Sequence, residues 1–341
     1  MIPPPQRAAE VASAPESPDE FETIERLFKP LTEGAPEAQG LNDDVAVLPA
    51  RMGFDLVATK DAMVEGVHFL ETDPLDLVAR KLLRVNLSDL AAKGAEPYGY
   101  LLAVSWSKRC RWEEREAFAA GLAQDQKQFG IHLFGGDTTS TPGPLTCSLT
   151  AFGWVPHGRA VARGGARSGD LVLVSGAIGD GLLGLAAARG ELSELEPARV
   201  EALAKRYRLP EPRVGMARLV RDNASASADV SDGLVADVGH IAEASGLKAL
   251  INLEALPLSR AARAWLHKRV DQGQALLDLA TGGDDYEIVC CARADRAETM
   301  IRAAQDHGDL TVVGHLVEGE GVAVSYMGDP IKFQRAGWRH R

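Results

Sequence analysis

The chain is 341 residues long, 45% apolar and 25% charged, with a formal net charge of −11. At about 150 residues per domain the length accommodates roughly two domains, and the acidic balance argues against a nucleic-acid binder, which would present a basic face. Four cysteines with no CxxC pair exclude a disulfide scaffold and fit reduced thiols in the cytoplasm, and no apolar run approaches the ~18 residues that a membrane span needs.

Residues 1–18, rich in Pro, Ala, Ser and Glu, read as a disordered arm. They lack the apolar core of a secretory signal, and Glu10, Glu16, Asp19 and Glu20 speak against a transit peptide. Phe21, Ile24, Leu27 and Phe28 recur at helical spacing, so a helix is expected there, ended by Pro30. In LNDDVAVL, Val45 and Val47 alternate with small residues as on a strand, and DLVAT (55–59) is a second strand. Asp73-Pro74 predicts a helix start, with Asp as N-cap and Pro at the first helical position. Leu75, Val78, Leu82, Val85 and Leu90 form that helix's apolar stripe, and Gly94 and Pro97 stop it.

Strands are expected at 98–106, at 131–134 running into Gly135-Gly136-Asp137, and at 145–155. An amphipathic helix is expected from Trp112 to Phe129. A second unit begins near Arg163. It offers a strand at 171–176, a glycine-rich loop and a helix, then a short strand into Ser231-Asp232-Gly233 and a helix closed by Gly246. A strand at 249–253, the Gly282-Gly283-Asp284-Asp285 corner, the strand after it and two terminal strands complete the chain. This alternation is that of an α/β or α+β protein.

The chemistry sits in aspartates that stand beside glycines or short polar residues: Asp43, Asp44, Asp61, Asp89, Asp137, Asp229, Asp232, Asp284 and Asp285. Each is expected at the end of a strand or helix, from where they can converge on one cleft. Several carboxylates in one cleft repel one another unless cations neutralise them, and an all-oxygen set suits Mg²⁺ together with phosphate oxygens. Any single Asp-Gly pair is equally well explained as turn chemistry. Gly135-Gly136, the run from Gly176 to Gly181 and Gly282-Gly283 permit close backbone approach to a phosphate. There is no GxxxxGK[ST], no protein-kinase signature, no GxSxG and no HExxH. Asn86 and Asp89, three residues apart, share one helix face and read as pointing toward a site or as a capping cluster. His68 among apolar residues reads as core or ligand, and Arg163 as a phosphate partner or a turn residue.

In order along the chain stand Asp43-Asp44-Val-Ala-Val, Thr59-Lys60-Asp61-Ala-Met-Val-Glu-Gly-Val-His68-Phe, Asn86-Leu-Ser-Asp89-Leu-Ala-Ala-Lys-Gly-Ala-Glu-Pro97, Gly135-Gly-Asp137-Thr-Thr, Asp229-Val-Ser-Asp232-Gly and Gly282-Gly-Asp-Asp-Tyr-Glu287. Together, from about Phe21 to Trp338, they resemble the thiamine-monophosphate kinases, of the superfamily that includes aminoimidazole ribonucleotide synthetase. The resemblance implies ATP-dependent phosphorylation of thiamine phosphate to thiamine diphosphate, with several Mg²⁺ ions per site. It implies a two-domain synthetase-like fold: an N-terminal ATP/metal-binding and dimerisation domain over 19–158 and a C-terminal α/β sandwich over 159–341. The N-terminal sheets would pair into a barrel in a homodimer.

Carried over by position, Asp44, Thr59, Lys60 (through its carbonyl), Asp61, Asp89, Asp137, Asp229 and Asp232 would hold metal. Gly136, Asp137, Arg163 and Ser231 would bind ATP, and His68, Asp284 and Trp338 thiamine phosphate. Asn42, Lys60 and Asp284 depart from the residues usual in the family, Asp284 being one methylene shorter than the usual Glu. Among relatives, a selenophosphate synthetase would want a reactive Cys near its start and a hydrogenase-maturation protein a C-terminal Cys; neither is present. A cyclo-ligase and a non-catalytic nucleotide-binding module are the alternatives.

Overall fold

The computed structural model describes residues 20–305 and 307–337; the proline-rich arm and Trp338 lie outside them. The described chain opens with α1 (Glu20–Thr23), which passes into a π turn (Ile24–Phe28) and 3-10 turns (Lys29–Thr32 and Pro36–Leu41). The regular helix expected here is therefore a series of short turns, with Pro30 inside the first 3-10 turn rather than after a helix. Then follow β1 (Phe54–Val64), α2 (Leu75–Ala92), β2 (Glu96–Ser107), α3 (Trp112–Phe129), β3 (His132–Thr141) and β4 (Thr146–Pro156). The four strands form one sheet in the order β1-β4-β2-β3. On α3, Glu114 accepts from the Arg111 N–H at the start, and Gly130 at φ +64 closes the end.

The second half contains β5 (Leu171–Ser175), α4 (Asp180–Ala188), α5 (Pro197–Arg208), α6 (Ala217–Asn223), β6 (Ala226–Asp229), α7 (Leu234–Ser245) and β7 (Leu247–Asn252). It continues through α8 (Arg260–Leu266), α9 (Gln272–Thr281), β8 (Ile288–Ala292), α10 (Ala294–Ala303), β9 (Leu310–Glu318), β10 (Gly321–Tyr326) and β11 (Asp329–Ile331). Its seven strands run in the order β11-β10-β7-β9-β5-β8-β6, with β10 and β7 parallel and the other pairs antiparallel. The fold is a mixed α/β architecture. Cys290 and Cys291 face opposite sides of β8 and belong to different core clusters, as strand alternation requires.

Helix α2 joins the two halves. Residues 78–79, 81–88 and 90–92 of it are all buried, so the helix has almost no solvent face, unlike an ordinary amphipathic helix. Leu82, Leu83, Leu87 and Leu90 pack into the N-terminal core, and Ala91 and Ala92 into a cluster with Leu173, Met216 and Ile288 of the C-terminal half.

Four local expectations are corrected. Residues 43–50 form no strand. Val45 and Val47 stand about 60% exposed, and the segment is tied down by Gln39 Nε2 donating to Val45 O and Val47 N–H to Glu37 O rather than by strand pairing. Asp73 does not cap α2: Pro74 holds the cap position, and the Asp73 carboxylate instead accepts from Leu70 N–H and from Arg208 Nε at 2.6 Å. Gly135-Gly136-Asp137 is not a loop after a strand but lies within β3. There Gly136 runs so close to β2 that a Cβ on it would fall 1.7 Å from Leu102 O. Lastly, Asp61 and Asp137 lie inside strands rather than at element ends.

One buried carboxylate anchors α3 to α2. Asp125, fully buried, accepts from Arg84 Nε at 2.6 Å and Nη2 at 3.0 Å, and from Arg80 Nε at 2.9 Å. Arg84 also donates to Pro210 O in the second half. Removing the carboxylate leaves two guanidinium groups facing each other out of water. Asp125→Ala is expected to cost about 3–5 kcal/mol in urea unfolding, whereas Glu22→Ala, which breaks an exposed pair with Arg26, should cost under about 1 kcal/mol.

Candidate active site

The cleft lies where β1, α2 and the C-terminal loops meet, and has a volume of about 390 Å³. From β1 comes Asp61. Thr59, on the same face of that strand, donates its hydroxyl to Asp89 Oδ2 at 2.5 Å. Asp89 comes from the last turn of α2, and Asp229 from the end of β6. Ser231 and Asp232 follow in the turn before α7. That turn is shaped by Asp237, whose carboxylate accepts the N–H groups of Ser231, Asp232 and Gly233 at 3.1–3.2 Å.

The Gly282-Gly283-Asp284-Asp285 corner zips onto the same turn, with Asp284 N–H donating to Ser231 O and Tyr286 N–H to Val230 O. Asp285 reaches the other way and accepts Gly179 N–H and Gly181 N–H at 2.8 and 2.9 Å, fixing the glycine-rich loop. Asp284 and Tyr286 are held at φ +70 and +51. Such left-handed backbone in non-glycine residues costs energy and persists only where surrounding contacts enforce it.

The carboxylates disturb one another. Burial, and then the nearby Asp89, raise the Asp61 pKa to about 6. Burial, followed by Asp89, Asp237 and Asp61, pushes the Asp229 carboxyl well above the carboxylate range, partly offset by a hydrogen bond from Ser88. Burial and Asp232 raise Asp237 to about 7. On the opposing side, burial and then Arg163 lower the Lys93 ammonium, which Asp229 and Asp89 partly support. An all-oxygen donor set under this strain fits hard divalent cations, which displace the protons and relieve the repulsion.

The structure brings Asp61, His68, Asp89, Arg163, Asp229, Ser231, Asp232 and Asp284 into this cleft. Thr59 joins them through its bond to Asp89, and the remaining residues stay outside. Asp44, Gly136 and Asp137 line a separate groove of about 610 Å³ beside β3. The pairing register carries Asp61 onto Leu149, Leu149 onto Leu102 and Leu102 onto Gly136. Three strand spacings, on the order of 14 Å, thus separate the two sets. Lys60 alternates with Thr59 and Asp61 and so turns its exposed side chain to the open face of the sheet. Asn86 does not face the cleft: it is fully buried, donates to Leu82 O and leaves its Oδ1 without a hydrogen bond. Trp338 lies outside the described residues; the chain before it reaches the site's edge, where a Cβ on Gly337 would meet Asp232 O at 2.6 Å.

Sequence reasoning missed Lys81, Tyr207 and Asp237. Lys81 left a trace, because a charged residue interrupts the apolar stripe of α2 between Val78 and Leu82. At the rim, His240 brings a ring nitrogen within 4.8 Å of carboxylate oxygens of Asp232 and Asp237, but Asp237 is already committed to three backbone donors.

Residues 42–155 match the N-terminal domain, and 167–327 the C-terminal domain, of the AIR synthase related proteins. A thiamine-monophosphate kinase of Caulobacter vibrioides is 53% identical over 334 residues, covering 98% of this chain and 93% of its own. The chain belongs to the thiamine-monophosphate kinases. The crystal structure of the Stenotrophomonas maltophilia family member superposes with a TM-score of 0.80 at 36% identity, covering 91% of this chain and 97% of its own. A structure of AaThiL complexed with AMPPCP and TMP superposes at 0.74 with 30% identity, covering 85% and 89%.

The raised Asp61 pKa makes a test in metal-free protein. Asp61 titrates near 6 when folded and near 3.8 when unfolded. The folded chain therefore holds this proton more tightly, and stability falls as pH rises from about 4 to 6, by on the order of 3 kcal/mol. Asp61→Asn is expected to raise the Tm in chelator above pH 6, with the gain shrinking toward zero near pH 4. Saturating Mg²⁺ should remove the advantage by stabilising the unsubstituted protein. Thermal unfolding against pH, with and without Mg²⁺, checks this.

Proposed function

We propose that the chain transfers the γ-phosphoryl group of ATP to thiamine phosphate, forming thiamine diphosphate and ADP. The observation that carries this is the convergence of Asp61, Asp89, Asp229 and Asp232, drawn from both halves of the fold, on one cleft with His68 and Asp284. A relative of 30% identity solved with AMPPCP and TMP supports the same pairing of ligands.

No protein nucleophile is needed. A phosphate oxygen of the acceptor, already ionised near neutral pH, attacks the γ-phosphorus, and the leaving group is ADP. Both partners are anions, so the work is positioning and charge neutralisation. Asp61, Asp89, Asp229 and Asp232, with Asp44, Thr59, Asp137 and the Lys60 carbonyl, would hold several Mg²⁺ ions, which supply neutralising charge. Arg163 and Ser231, with Gly136 and Asp137, would orient ATP. His68, Asp284 and Trp338 would hold the thiamine end, the indole facing the cationic ring. Trp338→Ala should then raise KM for thiamine phosphate with kcat and the ATP KM little changed.

The two separated acidic sets favour a homodimer. Leu56 and Leu101 stand exposed on the face of the N-terminal sheet that carries Lys60 and Asp137. If two sheets close into a barrel with β1 of one copy beside β3 of the other, the strand that carries Gly136 and Asp137 in the second copy lies against the strand that carries Asp61 in the first. This reading places the N-terminal domain at 19–158, the C-terminal domain at 159–341 and the enzyme in the cytoplasm; among the described residues no helix is long and apolar enough to cross a membrane.

The decisive assay is ADP release with thiamine phosphate as sole acceptor, expected with Mg²⁺ and lost in chelator; no release would sink the assignment. The shared site has its own test. Asp137→Asn and Asp229→Asn should each be inactive. Mixed and allowed to exchange subunits, they should recover up to about a quarter of normal activity, because half the dimers are then mixed and each has one intact site. No recovery, with exchange demonstrated, would place each site within one copy.

A further inference from the structure

Lys81 is absent from every role assigned so far, yet it is 3% exposed and its ammonium reaches the cleft. Its Nζ donates to Asp284 Oδ2 at 3.0 Å and to His68 O at 3.3 Å. It also lies 3.9 Å from the centroid of the Tyr207 ring, an arrangement in which the ring face attracts the cation. An ammonium has three hydrogens to donate. Here they are occupied by a carboxylate, a carbonyl and a π face, all from the protein.

The two hydrogen-bond partners come from different halves of the fold. His68 sits in the turn between β1 and α2, and Asp284 in the loop before β8. Asp284 is clamped from its other side too, since Oδ1 accepts from the Tyr286 hydroxyl at 3.1 Å. Tyr207, from α5, closes the triangle: it is 2% exposed, and its hydroxyl lies 3.5 Å from the same His68 carbonyl.

We propose that Lys81 is a positioning residue for the acceptor: one ammonium ties the His68 turn to Asp284 and so fixes, across the two halves of the fold, the pair of side chains that hold thiamine phosphate. The proposal rests on the assignment of His68 and Asp284 to that substrate. Because its donors are spent on protein partners, Lys81 acts on acceptor binding rather than on the transferring phosphoryl group. The carboxylate it fixes belongs to a side chain one methylene shorter than the family's usual Glu, so its orientation leaves little slack.

The test is steady-state kinetics of the full chain with each substrate varied in turn. Lys81→Met, which keeps bulk and removes charge, is expected to raise KM for thiamine phosphate about tenfold, with kcat and the ATP KM within about twofold. In the Asp284→Asn background the same substitution should raise KM by less than about threefold, because its route of action is already gone. An unchanged KM for thiamine phosphate, an equal loss in both backgrounds, or a fall in kcat at constant KM would overturn the proposal. Should Lys81→Met not fold, Tyr207→Leu removes the ring beneath the ammonium and keeps the ion pair. A rise of about threefold in the same KM alone is then expected, and none would overturn the proposal. Failure of the unsubstituted chain to turn over thiamine phosphate overturns the underlying assignment as well; turnover with unmoved variants overturns only this one.

Discussion

A helix with almost no water-facing side governs this molecule. Because α2 is buried among both halves, every polar group on it must find a partner inside the protein or pay the cost of desolvation. Arg84 finds Asp125, Lys81 finds Asp284 and the His68 carbonyl, and Asp89 finds the Thr59 hydroxyl. Each of these partners lies on a different element, so satisfying one helix fixes the relative placement of β1, α3 and the loop before β8. The cleft is one of the places where that requirement brings the two halves together.

The acidic side of the cleft stands in tension with this order. Burial and mutual repulsion raise Asp61, Asp229 and Asp237 above the ordinary carboxylate range, and Asp284 and Tyr286 hold unfavourable backbone. None of this helps the chain fold. Such local costs gather where a ligand or ion restores the balance, and they are offset here by the apolar cores on both sides and by Asp285 and Asp237, which lock two glycine-bearing turns through backbone N–H groups.

Much of this was legible in the sequence. Periodicity located α3 to the residue, because Gly130 and the apolar spacing agree, and it found the core strands, because buried strands read as continuous apolar runs. The convergence of Asp61, Asp89, Asp229 and Asp232 followed from residue type and motif order. What failed has physical causes. Val45 and Val47 alternate like a strand, but the segment's hydrogen bonds go to Gln39 and Glu37 of the preceding turns instead of a strand partner, a choice that local alternation does not reveal. Asp73 carries a capping signature, but Arg208, 135 positions later, competes for its carboxylate. Asn86 and Asp89 are both polar, but only one of them faces the cleft on a helix that is covered all round. The division of the acidic set into two groups depends on strand order, since β1 and β3 are sequence neighbours of other strands and yet end on opposite edges.

The glycine at position 136 has a consequence for how the motif around it is read. Its neighbour across the strand pair comes so close that no side chain fits, whatever the protein binds. Glycine there is a condition of assembling the sheet before it is a feature of any phosphate cradle. Its presence in a related sequence therefore testifies to the architecture and is silent about the ligand, whereas Asp137, exposed on the next position of the same strand, is under no such packing demand.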